Sequence, residues 1–526
     1  MMTIPQLNKD TAFSDEERWN FGLKGKLPFA IETIEMQAER VYQQYLRFEG
    51  ELEKNIFLKG LLCNNETLFF YVVSQHMDEM LPVLYTPTVA QSVMTYSTEY
   101  RRARGLYIAY PDRHRIKELL QHRTNPEIDL IVASDAEGVL GIGDQGIGGI
   151  DIPVAKLMVY TLCAGINPRR YLPVFLDAGT NNQALLDDPL YLGWRHKRVS
   201  GEQYDEMIEL FVDAVKEAFP KVFLHWEDFG RANASRILNR YHDTLCSFND
   251  DMQGTGAVTV SALLAACNAQ NLAFEEQKVI IYGAGTAGMG ICEQISQTMA
   301  YHNIDQEQAR VRFYLIDRNG LITDDMEDLT PQQKRFARSK AEVKNWFHLQ
   351  DGSIDLLEVI KQVKPTTLIG CSTQQGAFNS YVLRAMAASS KRPIIFPLSN
   401  PTHLAEATPQ DILEHTGGTA MIATGSPFKP CDYQGTTRVI AQCNNALVFP
   451  GIGLGVIAIA ARKLSDNMIW AACKALSSCA PAIKDPKKPL LPSLQQSLDV
   501  SRKVAKAVAQ EAIKEGLCDY DASCNL

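Results

Sequence analysis

Two short stretches, "LHWEDFG" (224–230) and "FNDDMQGTG" (248–256), each set a pair of acids at the end of an apolar run. Neighbouring residues within a strand face opposite sides, but at a strand end the backbone turns and both Glu227 and Asp228 can converge. Asp251 adds a third oxygen ligand. With no Cys or His taken to be nearby, the set suits Mg²⁺ or Mn²⁺ with room for water and a chelating substrate. The competing reading is that acid pairs are solvated loop residues. Lys156 poses a similar choice on "DIPVAKLMVYTLCAG" (151–165): a lone lysine on an apolar helix either snorkels to solvent or, desolvated among carboxylates, acts as an acid or base.

Two further stretches share the spacing G-x-G-x-x-G, "GIGDQGIGG" (141–149) and "GAGTAG" (283–288). A dinucleotide loop needs its glycines at the junction itself, where a strand ends and a helix opens with its first amides facing the pyrophosphate. "VIIYGAGTAGMGICEQI" has that layout: the strand runs into Gly283, Gly285 lets backbone approach phosphate, and Gly288 sits in the opening turn of the helix. The next strand ends in Asp317, an acid placed for the adenosine ribose hydroxyls. It lies 29 residues past Gly288, farther than usual, which an insertion around "AYHNIDQEQAR" accounts for. The acid favours NAD by repelling a 2′-phosphate; the adjacent Arg318 is compatible with NADP. In "GIGDQGIGG" the glycines run on as a loop before a helix that Asp151 is expected to cap, with Pro153 in its first turn. That stretch reads either as a flexible surface turn or as backbone pressed against a ligand.

The elements that carry these residues follow from periodicity. The first hundred or so residues read as helices, with "TIEMQAERVYQQYLRF" and "NETLFFYVVSQHMDEMLPVLY" carrying apolar residues at three- and four-residue intervals. "IDLIVAS" (128–134), "YLPVFLDAG" (171–179) and "KVFLHWED" (221–228) then alternate with helical stretches, the rhythm of βαβ units and a parallel sheet. A second α/β series starts at "KVIIYGAGTAG" and continues through "VRFYLIDRNG", "TTLIGCS" and "RPIIFPLSNPT", after which the chain returns to helix. With 526 residues, two or more domains are expected.

Composition narrows the partners. Fifty-two Lys and Arg against 61 Asp and Glu give a formal charge of −9, so a nucleic-acid partner gains no general electrostatic help. The sequence shows no apolar run near the roughly 20 residues of a membrane span and no signal-peptide layout, and the expectation is a soluble, cytoplasmic protein. Twelve cysteines without a C-x-x-C pair fit reduced, mostly buried thiols.

Together the motifs resemble the malic enzyme family, including its malolactic branch. The matches are "LYTPTV" around Tyr85, "YRRARGLYIA", "GIGDQGIGG", "IPVAKLMVYTLCAGI", "LDAGTNN", "WEDF", "FNDDMQGTGAV", "GAGTAG", "PLSNPT" and "NNALVFPGIGLG". The resemblance implies a helical region 1–120, an α/β catalytic domain 121–265 completed by a helical tail 446–526, and a Rossmann-type NAD-binding domain 266–445 between them. It implies that Glu227, Asp228 and Asp251 bind Mn²⁺ or Mg²⁺, with Asp251 also on the cofactor side and Asp250 beside Lys156. It further implies Lys156 as general base or acid and Tyr85 as proton donor, with Asn400 and Asn444 or Asn445 in contact with substrate or nicotinamide. Gly283, Gly285 and Gly288 would hold the pyrophosphate, and residues 141–149 would line the substrate and nicotinamide side. Members are commonly dimers or tetramers.

The implied reaction oxidises L-malate at C2 by hydride transfer to NAD, then releases CO₂ to give pyruvate. One departure stands out. The family usually reads "DGERILGLGD" where this chain reads "DAEGVLGIGD", so Gly138 replaces an arginine that contacts substrate carboxylate and cofactor. Malolactic enzymes, which keep the dinucleotide and yield lactate, are similar here and at "LDAGTNN" and "LHWEDFGR". "YTPTV" and "RRARG" are similar to ordinary malic enzymes, and Arg104 is a candidate for the missing positive charge. A nucleotide-sensing protein on a decayed scaffold would have lost its metal ligands or Lys156; this chain keeps them.

Overall fold

Runs such as "LIVAS" and "VIIY" are buried on both faces, which is what strands of a parallel sheet covered by helices require. A computed structural model describes residues 1–123, 125–139 and 141–519, and in it these runs assemble into two sheets. The first has five strands, β1 (Leu106–Ala109), β2 (Leu130–Ser134), β3 (Tyr171–Asp177), β4 (Phe223–Glu227) and β5 (Ser247–Asn249). Their order is β1-β3-β2-β4-β5 and every pairing is parallel. β1 lies inside the stretch expected to be helical, because its four residues are too few to show a period.

The second sheet has seven strands: β6 (Val279–Tyr282), β7 (Phe313–Asp317), β8 (Gly320–Leu321), β9 (Thr367–Gly370), β10 (Ile394–Pro397), β11 (Met421–Thr424) and, after a separate β12 (Cys431–Tyr433)–β13 (Thr436–Arg438) hairpin, β14 (Ala441–Gln442). The order is β14-β11-β10-β9-β6-β7-β8, parallel throughout except for β8 at the edge. It is a Rossmann-type sheet. The chain leaves β6 toward β7 and later returns to β9 on the other side, so a crevice opens at the carboxyl end of β6. The first sheet has the same device: β2 is followed by β3 on one side and by β4 on the other.

Five helices frame these two crevices: α1 (Asp151–Ala164), α2 (Thr255–Gln270), α3 (Thr286–Ala300), α4 (Phe449–Ala458) and α5 (Ser497–Lys514). The tail pair α4 and α5 packs against each other and against α1, so the chain from Phe449 on returns to the first sheet. α1 is buried along nearly its whole length. Gly146–Ala164 has the length and apolarity of a membrane span, yet 89% of it is inside the fold, which makes it a core helix. Asp151 does not cap it as expected. The cap position is Ile150 without a side-chain bond, and the Asp151 carboxylate instead accepts from Lys59 and Ser92, both at 2.6 Å. The N-terminal region is helical, but the expected long helix 65–85 breaks at His76 into Glu66–Gln75 and Met77–Leu84.

Candidate active site

β4 ends in Glu227, and the next residue, Asp228, takes φ +58°. A non-glycine residue is uncommon there and costs about 1–3 kcal/mol. The turn it makes lets two sequential acids share one side. β5 runs into a π-helical turn, Asp250–Gly254, ahead of α2. Such wide turns recur at functional sites, because an extra residue in the turn changes which side chains point inward. Here Asp250 and Asp251 are both buried, and Asp251 accepts the backbone N–H of Asp228 at 2.8 Å.

Glu227, Asp228 and Asp251 each present an oxygen within 4.8 Å of the others'. Lys156 reaches them from α1, 1% exposed, bonded to Asp250 and 2.9 Å from Glu227 Oε1. The ammonium faces the ring of Tyr85 at 5.2 Å and that of Phe449 at 4.8 Å. Asn445 donates to Asp250 Oδ2 at 2.8 Å and to Thr255 at 3.1 Å. Two buried carboxylates, Asp250 and Glu227, thus share one ammonium with Asp251 buried beside them, and Asp250 Oδ1 has no hydrogen-bond partner. Uncompensated charge of this kind is costly in a low-dielectric interior. An oxygen-only donor set with surplus negative charge fits a divalent cation such as Mg²⁺ or Mn²⁺.

The titration behaviour reflects the same crowding. Burial pushes Glu227 up to about 8, the Lys156 ammonium pulls it back, and Asp250 pushes it up again. Asp251 is raised by burial and then by Glu227. For Lys156 burial acts downward, but Asp250 and Glu227 outweigh it and hold the ammonium well above its ordinary value. Burial also raises the Tyr85 hydroxyl, with Lys156 opposing, so Tyr85 carries its proton at neutral pH. Behind Glu227, His225 is fully buried and driven by that burial down to about 3, which keeps it neutral.

A cavity of about 150 Å³ joins this cluster to the second sheet. Tyr85, Lys156, Glu227, Asp228, Asp251, Asn400, Asn444 and Asn445 line it, together with Ala287 of α3. Asn400 is held by Ser426, which donates to its Oδ1 at 2.6 Å, and Asn444 Oδ1 accepts from Ala446 N. Arg104, the expected substitute for the family arginine, is not among the lining residues; it pairs with Glu66 at 3.3 Å in the helical N-terminal region. Gly138 is more than an omitted side chain. A Cβ there would lie 2.9 Å from the Phe229 carbonyl, so the backbone after β4 occupies the place where any side chain would begin.

The two glycine loops part company. At 283–288, Gly283 takes φ +103° and a Cβ on it would meet the Cys371 backbone at 2.5 Å, while a Cβ on Gly288 would collide with the Gly283 carbonyl. Gly285 opens onto free space and caps α3 without any side-chain bond, leaving the first amides of the helix available to an anion. Asp317 ends β7 beside it, half-buried. At 141–149 the close approaches are to protein: Gly149 abuts Ala136, Gly148 the Val93 carbonyl, and Gly141 the Asn400 carbonyl. Asp144 anchors that loop by accepting from Arg198, Thr180 and Asn181. None of residues 141–149 is in the wall of this cavity, although Gly141 packs on Asn400, which is. The glycines are there to let three chain segments pack.

Sequence reasoning missed His225, although a signal was present: it lies two residues before Glu227 on one strand and so on the same face. It also missed Asp144 and Arg198, which no local pattern connects.

Fold and site define the class: a two-sheet α/β oxidoreductase with a Rossmann-type half. Comparison with known proteins gives the particular group. Residues 63–242 match the family model "Malic enzyme, N-terminal domain" and residues 252–513 match "Malic enzyme, NAD binding domain". An NAD-dependent malic enzyme of Pseudomonas aeruginosa is 49% identical over 98% of this chain and 92% of its own, and one of Photorhabdus laumondii 48% over 98% and 91%. The malic enzyme of Entamoeba histolytica shares the fold with a TM-score of 0.58, at 22% identity over 95% of this chain and 88% of its own. The chain belongs to the malic enzyme family.

Proposed function

We infer that the protein catalyses the NAD-dependent oxidative decarboxylation of L-malate to pyruvate and CO₂. The observation that carries this reading is the buried Lys156 set between Asp250 and Glu227 in a cavity that also reaches the dinucleotide helix, in a chain about half identical to named NAD-dependent malic enzymes. Glu227, Asp228 and Asp251 would hold the divalent ion. The bound ion supplies Lewis-acid stabilisation of negative charge on the substrate oxygen, and the nicotinamide supplies the hydride acceptor.

The remaining steps belong to this chain's own groups. The carboxylates that hold the Lys156 proton would be offset by a cation on Glu227, Asp228 and Asp251. Lys156, once it has released that proton, takes the proton of the C2 hydroxyl as hydride leaves C2, with Asp250 and Asn445 fixing its position. Tyr85, kept protonated by burial, delivers a proton to C3 after CO₂ departs. Asn400 and Asn444 orient substrate carboxylate and nicotinamide from the cavity wall. Gly283, Gly285 and Gly288 seat the pyrophosphate, and Asp317 accepts from the ribose hydroxyls, disfavouring a 2′-phosphate. The domain division is read as 1–120, 121–265 with 446–526, and 266–445.

We read the enzyme as cytoplasmic, and as a homodimer or homotetramer. Self-association is supported by an N-terminal surface where Trp19, Phe21, Phe29, Ile31 and Met36 are exposed, Phe29 at 96%. Light scattering on the purified protein decides that point. For the reaction, incubation with L-malate, NAD⁺ and Mn²⁺ should yield NADH and pyruvate in equal amounts; lactate without net NADH would overturn it in favour of the malolactic reaction.

A further inference from the structure

Behind the carboxylate cluster lies a second layer that the chemistry above does not use. His225 is 0% exposed on β4, two residues before Glu227 and on the same face of the strand. Its Nε2 lies 2.7 Å from Glu227 Oε2, and its Nδ1 lies 2.9 Å from the Tyr160 hydroxyl. When Glu227 is ionised, as a ligand to a cation must be, its carboxylate can only accept, so Nε2 carries the proton and Nδ1 accepts from Tyr160. Tyr160 comes from α1, one turn beyond Lys156. The other oxygen of Glu227, Oε1, faces Lys156 on the cavity side. The two oxygens of one carboxylate are therefore committed in opposite directions, one to the core and one to the site.

We propose that His225 is a positioning residue that tethers Glu227 through Oε2, so that Glu227 offers a cation one oxygen rather than two, and thereby sets the site's preference for Mg²⁺ and Mn²⁺ over Ca²⁺. The size and coordination of the ions give the reason. Ca²⁺ takes six to eight oxygens and readily uses a bidentate carboxylate, whereas Mg²⁺ demands a compact octahedron built from single oxygens and waters. Outer partners that orient a ligand are worth about 10- to 100-fold in metal affinity. The inference rests on the reading of Glu227 as a metal ligand.

The test compares Mn²⁺ and Ca²⁺ binding, by Mn²⁺ paramagnetic resonance with Ca²⁺ competition, in the metal-free protein. The double variant Tyr160→Phe/His225→Phe removes both polar partners together and keeps aromatic rings against Phe248 and Phe449, which flank His225 at 5.4 and 5.7 Å. His225→Gln retains a donor for Oε2. The ratio of Ca²⁺ to Mn²⁺ dissociation constants should fall about tenfold or more in the double variant, and His225→Gln should restore it to within about threefold of the parent. An unchanged ratio in a folded double variant overturns the proposal, and so does a ratio lost equally in His225→Gln. Should the double variant not fold, His225→Leu carries the same expectation and the same refutation. A parent protein that binds no Mn²⁺ would instead sink the assignment of Glu227 itself.

Discussion

The two glycine loops have the same spacing and opposite surroundings. At 283–288 the tight packing is confined to Gly283 and Gly288, and the middle of the loop faces open space in front of a helix with uncapped amides. At 141–149 the glycines are filled from outside by Ala136, Val93 and Asn400, and Asp144 ties the loop down. A glycine motif thus states that backbone must come close to something; it does not state whether that something is a phosphate or more protein. The same contrast divides the molecule. The first sheet offers charged side chains gathered at a strand end, the second offers bare backbone.

The strongest challenge to this division is Lys156→Ala. It should lower kcat by about 10²- to 10⁴-fold, the usual worth of a positioned acid–base group, while NAD binding measured by fluorescence stays within about twofold. Loss of NAD binding as well would mean that the two halves are not separable.

Next is Asp144→Ala, which removes the anchor of the packed loop and leaves the buried Arg198 with Asp135 alone, 3.5 Å away. We expect a loss of about 3 kcal/mol in denaturant unfolding, the low end for breaking a buried ion pair because one partner remains. A functional loop tolerant of this change would contradict its role as packing.

The direct test sets Gly288→Val against Gly149→Ala. The first should weaken NAD binding at least about tenfold, or about 1.4 kcal/mol, with Mn²⁺ affinity unchanged. The second should cost about 1–3 kcal/mol of stability by overpacking, with the NAD dissociation constant of the folded protein unchanged. Reversed outcomes would exchange the two loops' assignments.

The smallest effect is a pH dependence of the metal end. Glu227 is raised to about 8 from its ordinary value near 4.5, so in the metal-free protein it holds a proton at pH 6 that a cation must expel. Mn²⁺ affinity should rise by up to about tenfold per pH unit between 6 and 8 and level off above. A raised carboxylate stabilises the fold below its unfolded value and loses that contribution as pH climbs through 8. The metal-free protein should therefore melt lower at pH 8 than at pH 5, and Mn²⁺ should close the gap. A flat affinity profile would show Glu227 to be already ionised.

Much of this was legible before any coordinates. The strands at 130, 171, 223, 279, 313, 367 and 394 declared themselves as short apolar runs, and the strand–GAGTAG–helix junction carries its mechanism in its own residues. The acids at 227, 228 and 251 and the lysine at 156 stood out as charge on or beside apolar elements. The residues alone left solvated and functional readings open, and only the family resemblance gave them roles. Local pattern could not say what met what. Only the tertiary structure put Arg104 against Glu66 and away from the cavity, filled the space at Gly138 with the Phe229 carbonyl, and set Tyr160 and His225 behind Glu227. A sequence fixes which residues can turn, bury or ionise, because those are properties of single side chains and their near neighbours. Which oxygen faces which donor is decided by helices and strands a hundred residues apart, and that is written only in their packing.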